Sequence, residues 1–272
     1  MSKNKVKIAV AQISSGESKA GNIKKSLSML DIATARKSDL VIFPEYQMIS
    51  KSYEERNVIL ENAEEAEGRY MKTFMEYARS NSVNILCNMA ESVPGAAKPY
   101  NTSILINRSG YRIGKYRKIH LFDALGKSES YAYSAGLQPP EPFSFPEFKI
   151  GVQICYDLRF PETARTLTIQ GASILTYQAG WFKGDHKLEQ WRTLLRARAI
   201  ENGTFVIGAA QCGENYTGHS MIISPYGEVV DEAGDHETVL ISDIDLSEID
   251  KYREEVPVIR ARRLDIYDIR GF

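Results

Sequence analysis

Three residues with reactive side chains lie where apolar patterns of the sequence stop. Glu45 follows the apolar run 40–44, Cys155 follows the alternating pattern 150–154, and Lys118 lies in a basic segment. A cysteine nucleophile needs a base that takes the thiol proton and a positive charge where a tetrahedral oxyanion forms. A carboxylate and an ammonium beside one cysteine supply both, so Glu, Lys and Cys form a sufficient set without histidine. The ammonium would also favour the thiolate, a minor form at neutral pH of a free thiol with a pKa of about 8.5.

Each of these residues also has an ordinary structural explanation when it is considered alone. A cysteine that ends a strand is commonly a small buried hydrophobic residue. A glutamate after a strand is commonly a solvated loop residue or a cap, and a lysine between Arg117 and His120 is commonly part of a hydrated basic face. No one of the three residues identifies a site by itself.

The elements that would position these residues are strands and helices that alternate along the chain. The pattern of residues 6–10 predicts a strand, and Asn22 is a candidate N-cap for the amphipathic helix that follows. Ser109-Gly110 predicts a tight turn between the two strands of a hairpin. Since α/β folds usually form ligand sites where strands end at one edge of a sheet, the reactive residues are expected at such an edge.

The second half of the chain repeats this alternation. Pro161 suits the first turn of a helix, and Trp191 lies in a long amphipathic helix that Gly203 follows.

In the whole chain, further strands are predicted near residues 40–43, 83–89, 172–177, 204–210, 219–224 and 239–243. Mixed strands with helices on both sides favour a layered α/β sandwich. The lack of a low-complexity linker favours one domain over residues 1–272.

Composition and charge argue against several other classes of protein. Hydrophobic residues make up 43% and charged residues 25% of the 272 residues, which is ordinary for a globular protein. The formal net charge of -1 gives no electrostatic basis for nucleic acid or an anionic membrane as a partner. The polar residues 1–7 and the lack of a long apolar stretch predict no signal peptide and no membrane span. Three dispersed cysteines, Cys87, Cys155 and Cys212, favour neither a disulfide framework nor a zinc cluster, so a cytoplasmic location is expected.

The segments around Glu45, Lys118 and Cys155, in this order, resemble the Glu–Lys–Cys signatures of the nitrilase superfamily, also called carbon–nitrogen hydrolases. The resemblance continues through residues 191–202, through residues 219–220 and through the tail 257–267. It implies an α/β fold, the four-layer αββα sandwich, in chains that commonly form homodimers or higher homo-oligomers. It also implies chemistry on a small-molecule amide without a metal or an organic cofactor.

The same resemblance implies a role for each matching residue. Cys155 would attack the carbonyl carbon, while Lys118 and the backbone N–H of Tyr156 would hold the oxyanion. After ammonia leaves and a thioester remains, Glu45 would activate the water that hydrolyses it. Glu129 matches the second glutamate of the family, which positions substrate and supports proton transfer. The alternative for Glu129 is a loop carboxylate near the entrance of the site.

Within the family, residues 155–160 and the tail 262–267 are most similar to the omega-amidase and deaminated-glutathione-amidase branch. That branch removes ammonia from the side-chain amide of compounds that carry a carboxylate. Arg159 is a candidate for binding such a carboxylate through two hydrogen bonds. The alternative is a buried structural ion pair between Arg159 and Asp157 or Glu162.

The loop after the next strand departs from that branch. Omega-amidases usually have Tyr-Pro-Gly-Ala-Phe there, whereas residues 177–181 read Tyr-Gln-Ala-Gly-Trp. In the family this loop lines the pocket, so Gln178, Ala179 and Trp181 are candidate substrate-binding residues. Trp181 would narrow the pocket, stack on a planar substrate or pack against the long helix. Tyr46, beside the candidate base, would contact substrate or fill the wall of the pocket.

Other functions remain as alternatives. An N-carbamoyl amino acid amidohydrolase or a nitrilase would use the same three residues on a different substrate. A binding protein that kept the fold would not need to keep Glu45, Lys118 and Cys155 together. A papain-like hydrolase would pair the cysteine with a histidine, but no histidine lies in a segment typical of that arrangement. The four histidines are His120, His186, His219 and His236.

Overall fold

Two six-stranded sheets form the centre of the structure, a computed structural model that describes residues 4–266. Within these residues the chain forms twelve strands and seven helices. The strands are β1 (Lys5–Gln12), β2 (Leu40–Ile42), β3 (Asn84–Glu91), β4 (Tyr100–Ile106), β5 (Arg112–Arg117), β6 (Phe143–Ser144), β7 (Lys149–Ile154), β8 (Ile174–Ala179), β9 (Phe205–Ala210), β10 (Met221–Ile223), β11 (Val229–Glu232) and β12 (Thr238–Asp245). The helices are α1 (Lys19–Ala35), α2 (Arg56–Asn62), α3 (Arg69–Asn81), α4 (Glu129–Ala132), α5 (Pro161–Ile169), α6 (Lys187–Asn202) and α7 (Ser247–Glu255).

The strand directions bring two of the predicted reactive residues to one edge of the first sheet. Its order is β12-β1-β2-β3-β4-β5, and that of the second sheet is β11-β10-β9-β8-β7-β6. β2 and β3 are parallel, whereas β4 is antiparallel to both β3 and β5, so β5 runs in the same direction as β2. The carboxyl ends of β2 and β5 therefore share an edge. Glu45 and Lys118 follow those two ends.

Alternating side chains of the strands fill different layers of the molecule. In β1, Ile8 and Val10 lie in the core that the two sheets share, whereas Ala9 and Ala11 lie in the core beneath α1 and α3. The helices α5 and α6 pack on the outer face of the second sheet, where Trp191 is fully buried. The layers are therefore helix, sheet, sheet and helix. The predicted four-layer αββα sandwich is confirmed.

Several predicted elements are confirmed. The hairpin of β4 and β5 is antiparallel, and Pro161 is the first residue of α5. The long helix α6 ends at Asn202, where Gly203 adopts a left-handed conformation with φ of 55°. The pattern gave no indication of α2, α4, α7, β6 and β11. Most of these elements are short or largely polar, so they carry too little hydrophobic periodicity to be recognised.

The predicted start of the first helix is wrong. Ser18 caps α1, because its side chain accepts a hydrogen bond from the backbone N–H of Gly21 at 3.2 Å. Asn22 lies inside the helix, where its amide donates to the carbonyls of Gly16 at 2.8 Å and Met48 at 3.1 Å. Asn22 therefore ties the helix to two loops, a tertiary role that the local sequence did not reveal.

Part of the tail that resembles the family lies outside the described residues, since Tyr267 is not among them. The same holds for residues 1–3 of the polar N-terminal segment. Between residues 4 and 266, no helix combines the length and the hydropathy that crossing a membrane requires.

Gly208 in β9 marks the closest approach of α6 to the second sheet. A Cβ atom at Gly208 would lie 2.6 Å from side-chain atoms of both Leu195 and Trp191. We expect Gly208→Ala to destabilise the protein by about 1–3 kcal/mol because the fully buried helix face cannot move away easily. Gly234→Ala is the control, since a Cβ there has no atom within 4 Å. Equal melting temperatures of the two variants in thermal denaturation would contradict this close packing.

Candidate active site

Glu45, Lys118 and Cys155 meet between the carboxyl ends of strands from both sheets. Glu45 and Lys118 come from the first sheet, and Cys155 follows β7 of the second. The Lys118 ammonium lies 2.8 Å from Glu45 Oε1 and 2.7 Å from Glu129 Oε2, and these three side chains are fully buried. The charges of all three act on the Cys155 thiol. The four predicted catalytic residues therefore form one cluster, in which Glu129 lies at the centre and not at the entrance.

Backbone and amide groups fix both carboxylates in place. The side-chain amide of Asn101 donates to Glu45 Oε1 at 2.7 Å and to Glu129 Oε1 at 3.1 Å. The remaining oxygen of Glu45 accepts from the backbone N–H of Gly180 at 2.7 Å. Glu129 Oε2 also accepts from the backbone N–H of Phe122 at 2.8 Å. Each buried carboxylate is thus held by several donors, as a buried charge requires.

Lys118 carries the positive charge of the cluster. Burial alone would lower the pKa of Lys118, but the charges of Glu129 and Glu45 outweigh it and raise this pKa well above its usual value. Burial raises the pKa of Glu129, and the charge of Lys118 opposes that rise. An ammonium has three N–H donors, and the two carboxylates use two of them. One donor is left for a ligand beside Cys155.

Cys155 occupies a strained turn at the start of the short 3-10 segment Cys155–Arg159. Its φ of 46° is left-handed, which is costly for a residue with a side chain and typical of functional sites. Only 8% of Cys155 is exposed. Burial raises the pKa of its thiol well above the usual value, and the charge of Glu45 adds to this while Lys118 opposes it. Lys118 therefore favours the thiolate, as expected, but burial and Glu45 have the larger effect and favour the thiol.

Two connected cavities lead from the surface to Cys155. The outer cavity has a volume of about 720 Å³, and the inner pocket at Cys155 has a volume of only about 10 Å³. Tyr53, Phe122, Phe182 and Lys187 line both. The cluster of reactive groups is thus reached through a narrow neck with mainly aromatic walls.

Two of the predicted substrate-binding residues, Tyr156 and Trp181, line the inner pocket. The ring of Tyr156 packs edge-on against Phe122 at a centroid distance of 5.0 Å. Trp181 packs against Trp191 of α6 at 5.3 Å, and its indole N–H donates to the carbonyl of Lys187 at 2.8 Å. Trp181 therefore both narrows the pocket and packs against the long helix.

Arg159 also lines the inner pocket. Its guanidinium donates to Gln190 Oε1 at 2.7 Å and lies 5.0 Å from the ring centre of Trp181. Between residues 4 and 266, neither Asp157 nor Glu162 forms an ion pair with it, so the structural alternative is not observed. A positive charge without a carboxylate partner thus faces the pocket.

The structure does not bring Gln178 and Ala179, two candidate substrate-binding residues, to the inner pocket. Gln178 is fully buried; it donates to the carbonyl of Phe43 at 2.6 Å and accepts from the hydroxyl of Ser103. Ala179 is fully buried in the core, and neither residue lines the pocket. Both side chains belong to β8, so Gln178 links the two sheets.

Tyr46 forms part of the wall of the outer cavity. Its hydroxyl hydrogen-bonds the hydroxyl of Tyr53 at 2.6 Å, and its ring packs against Tyr216 at a centroid distance of 6.3 Å. The φ of Tyr46 is 59°, so the residue after Glu45 also adopts a left-handed conformation. Of the two roles expected for Tyr46, the structure therefore favours filling the wall of the pocket over contacting the substrate.

The histidines are engaged elsewhere in the structure. His120 Nδ1 lies 2.7 Å from the buried Asp157, and His120 stacks on Phe160. His219 bonds Glu232 at 2.9 Å. No histidine lines the described inner pocket, which argues against a papain-like Cys–His pair. Residues 4–266 contain no group of three or more His, Cys, Asp or Glu side chains arranged to hold a metal ion.

Sequence reasoning missed several residues of the site, among them Asn101 and Lys187. Asn101 is the second residue of β4, and nothing in the strand pattern distinguishes it from a core position. Lys187 is the first residue of α6, and its ammonium lies 4.6 Å from the ring centre of Trp181. Both depend on contacts between segments far apart in sequence, so no local signal could have identified them.

Comparison with known families decides how this cluster is classified. The sequence matches the carbon–nitrogen hydrolase family over residues 7–254. The chain belongs to this family. The predicted resemblance to the nitrilase superfamily is confirmed.

Relatives of this carbon–nitrogen hydrolase include amidases. The deaminated glutathione amidase of Bos taurus is 32% identical over 97% of this chain and 84% of its own length. The omega-amidase of Mus musculus is 31% identical over 97% of this chain and 98% of its own length. The predicted relationship to this branch is therefore confirmed.

The nitrilase and fragile histidine triad fusion protein NitFhit of Caenorhabditis elegans is 34% identical over 96% of this chain. This chain spans only 62% of the length of that fusion protein. The crystal structure of NitFhit superposes on this chain with a TM-score of 0.89 at 31% sequence identity. The superposition covers 98% of this chain and 67% of the NitFhit chain. The fold is thus that of the nitrilase part of a larger relative.

We expect iodoacetamide to label Cys155 before Cys87 and Cys212. Cys155 lines the pocket, whereas Cys87 and Cys212 are 0% and 2% exposed. Because burial raises the pKa of the Cys155 thiol, its labelling rate should keep rising with pH beyond the usual thiol pKa of about 8.5.

Peptide mass spectrometry over a pH series measures both the order and the rates of labelling. If Cys87 or Cys212 is labelled first, the placement of Cys155 at the pocket is wrong. A Cys155 rate that is already level at neutral pH would show a stable thiolate and contradict the raised pKa.

Proposed function

We propose that this carbon–nitrogen hydrolase is a cysteine amidase that releases ammonia from small amides bearing a carboxylate. One observation carries the proposal: Lys118 joins Glu45 and Glu129 in a buried cluster beside a thiol that lines the inner pocket. The cluster supplies a base, a nucleophile and a fixed positive charge. These are the groups that acyl transfer through a thioester needs.

In the first half of the reaction, Glu45 takes the thiol proton as Cys155 Sγ bonds to the carbonyl carbon of the amide. The oxygen becomes an oxyanion, which the remaining N–H of Lys118 and the backbone N–H of Tyr156 stabilise. Glu45 returns the proton to the amide nitrogen, the C–N bond breaks and ammonia leaves. The raised pKa of the Cys155 thiol supports proton transfer coupled to attack, because a free thiolate is not favoured in the resting site.

In the second half, Glu45 takes a proton from water, and the oxygen of that water bonds to the thioester carbon. The same donors hold the second oxyanion. When the C–S bond breaks, Cys155 leaves as a thiolate and regains a proton from Glu45, and the carboxylic acid product departs. Glu129 holds Lys118 at 2.7 Å throughout, which keeps the ammonium aimed at the oxyanion position.

The substrate class rests on Arg159 and on the relatives. Arg159 lines the inner pocket without a carboxylate partner among the described residues, so a substrate carboxylate can occupy that place. Two relatives carry the names omega-amidase and deaminated glutathione amidase. We therefore propose an amide whose far end is a carboxylate. The alternatives, an N-carbamoyl amino acid and a nitrile, would use the same cluster.

Ammonia release from purified protein tests the reaction and the nucleophile together. We expect release from 2-oxoglutaramate to exceed that from an N-carbamoyl amino acid or a simple aliphatic nitrile. Cys155→Ala should lower the rate by more than about a thousandfold, because no other thiol lines the described inner pocket. Cys212→Ala is the matched control, since it removes a buried thiol outside that pocket.

Circular dichroism should show that Cys155→Ala keeps the fold. Turnover by folded Cys155→Ala at more than a trace rate would remove Cys155 from the role of nucleophile. Preference for the N-carbamoyl compound or the nitrile would replace the amidase proposal by that alternative.

Arg159→Met tests recognition of the carboxylate. A charged hydrogen bond is worth about 1.5–3 kcal/mol, so KM for glutaramate should rise roughly tenfold or more. The KM for butyramide, a neutral amide, should change little, and kcat should change less than KM if the bond is equally strong in ground and transition states. Steady-state kinetics on both amides gives the comparison. Equal losses on the two substrates would assign Arg159 to structure alone.

A further inference from the structure

Lys187 is a buried cation at the junction of the two cavities. Only 7% of the residue is exposed, and it lines both the outer cavity and the inner pocket. Its ammonium lies 4.6 Å from the ring centre of Trp181 and 5.4 Å from that of Phe122. The guanidinium of Arg159 lies 5.0 Å from the same Trp181 ring. Two cations therefore flank one indole at the neck of the pocket.

The structure gives this pair of cations no protein counter-charge. In the range 4–266, the Lys187 ammonium has neither an ion-pair partner nor a hydrogen-bond acceptor, and Arg159 bonds only the neutral amide of Gln190. Burial lowers the pKa of Lys187, and the charge of Arg159 lowers it further. Cation–π contact with Trp181 offsets only part of the cost of burying an ammonium. An anion from outside the chain would supply the missing charge.

Other lysines around the outer cavity differ from Lys187. Lys51 is paired with Glu17 at 2.7 Å and with Glu55 at 2.9 Å. Lys127 lies over the Phe182 ring at 5.4 Å but does not line the inner pocket. An unpaired, buried ammonium that reaches the inner pocket is therefore a distinct feature of the neck, and it lies close enough to Arg159 for the two charges to interact.

We propose that Lys187 is a specificity-determining residue that holds the substrate carboxylate together with Arg159 at the neck of the pocket. This inference rests on the proposed amidase function, since it names how the same pocket selects an anionic amide. The amide group lies at Cys155, a short unbranched chain passes along Trp181, and the carboxylate lies between the two cations. A neutral amide leaves both cations without a partner, so it binds more weakly.

Binding measured without turnover tests the role of Lys187. In the Cys155→Ala background, isothermal titration calorimetry compares glutaramate with its methyl ester, which has the same chain and no charge. We expect Lys187→Met to weaken glutaramate binding about tenfold, as the loss of one charged contact requires, and to leave binding of the ester unchanged. Lys187→Arg should restore glutaramate binding to within about threefold, because it restores the charge.

Lys127→Met is the matched control, because it removes a lysine over an aromatic ring outside the inner pocket. It should change neither affinity by more than about twofold. If Lys187→Met keeps full affinity for glutaramate, or weakens both ligands equally, the specificity role is wrong. Failure of Lys187→Arg to recover binding would also overturn it, because a role in charge recognition requires that rescue.

The amidase proposal is judged separately, by ammonia release from glutaramate in the protein with Cys155 intact. If no ammonia is released but binding through Lys187 is still selective for charge, the proposed amidase reaction is wrong and the proposed anion-binding site stands. Release that continues at an unchanged KM in Lys187→Met would keep the reaction and overturn this inference.

Discussion

The ammonium of Lys118 lies between the carboxylates of Glu45 and Glu129, all three side chains are fully buried, and the rest of the site is arranged around that contact. A buried charge of this kind costs free energy unless its partners are close and fixed. The partners are fixed by groups from both sheets: Asn101 of β4 reaches both carboxylates, and the backbone of Gly180, which follows β8, reaches Glu45. The ion cluster therefore couples the packing of the two sheets to the geometry of the chemistry.

The same buried environment sets the behaviour of the nucleophile. Low polarity around Cys155 raises the pKa of its thiol, and Glu45 has a stronger effect in that direction than Lys118 has against it. Two carboxylates and one ammonium around the cysteine thus raise the pKa of its thiol in sum with burial. The left-handed backbone of Cys155 is conformationally strained. The packed 3-10 segment stabilises this conformation, in part because the buried Asp157 accepts a hydrogen bond from the backbone N–H of Ile154.

The neck above the cluster separates chemistry from recognition. Aromatic rings of Tyr156, Phe122 and Trp181 narrow the pocket and give no charge, whereas Arg159 and Lys187 bring positive charge to it. With the proposed function, the shape of this pocket limits the thickness of the substrate and its charge selects the group at the far end of the substrate. This division fits a family in which one Glu–Lys–Cys cluster serves several carbon–nitrogen substrates.

Sequence alone determined the alternation of strands and helices, the αββα class and the family. Those features follow from hydrophobic periodicity and from short ordered segments around Glu45, Lys118 and Cys155, which are local properties of the chain. Tertiary structure alone decided which side chains face the pocket. Gln178 in β8 and Trp181 just after it lie three residues apart, yet the first links the sheets and the second lines the pocket. Asn101 and Lys187 join the site, and the pKa of the Cys155 thiol is raised, because contacts and burial arise only when distant segments pack together. Such contacts leave no periodic or local pattern in the sequence.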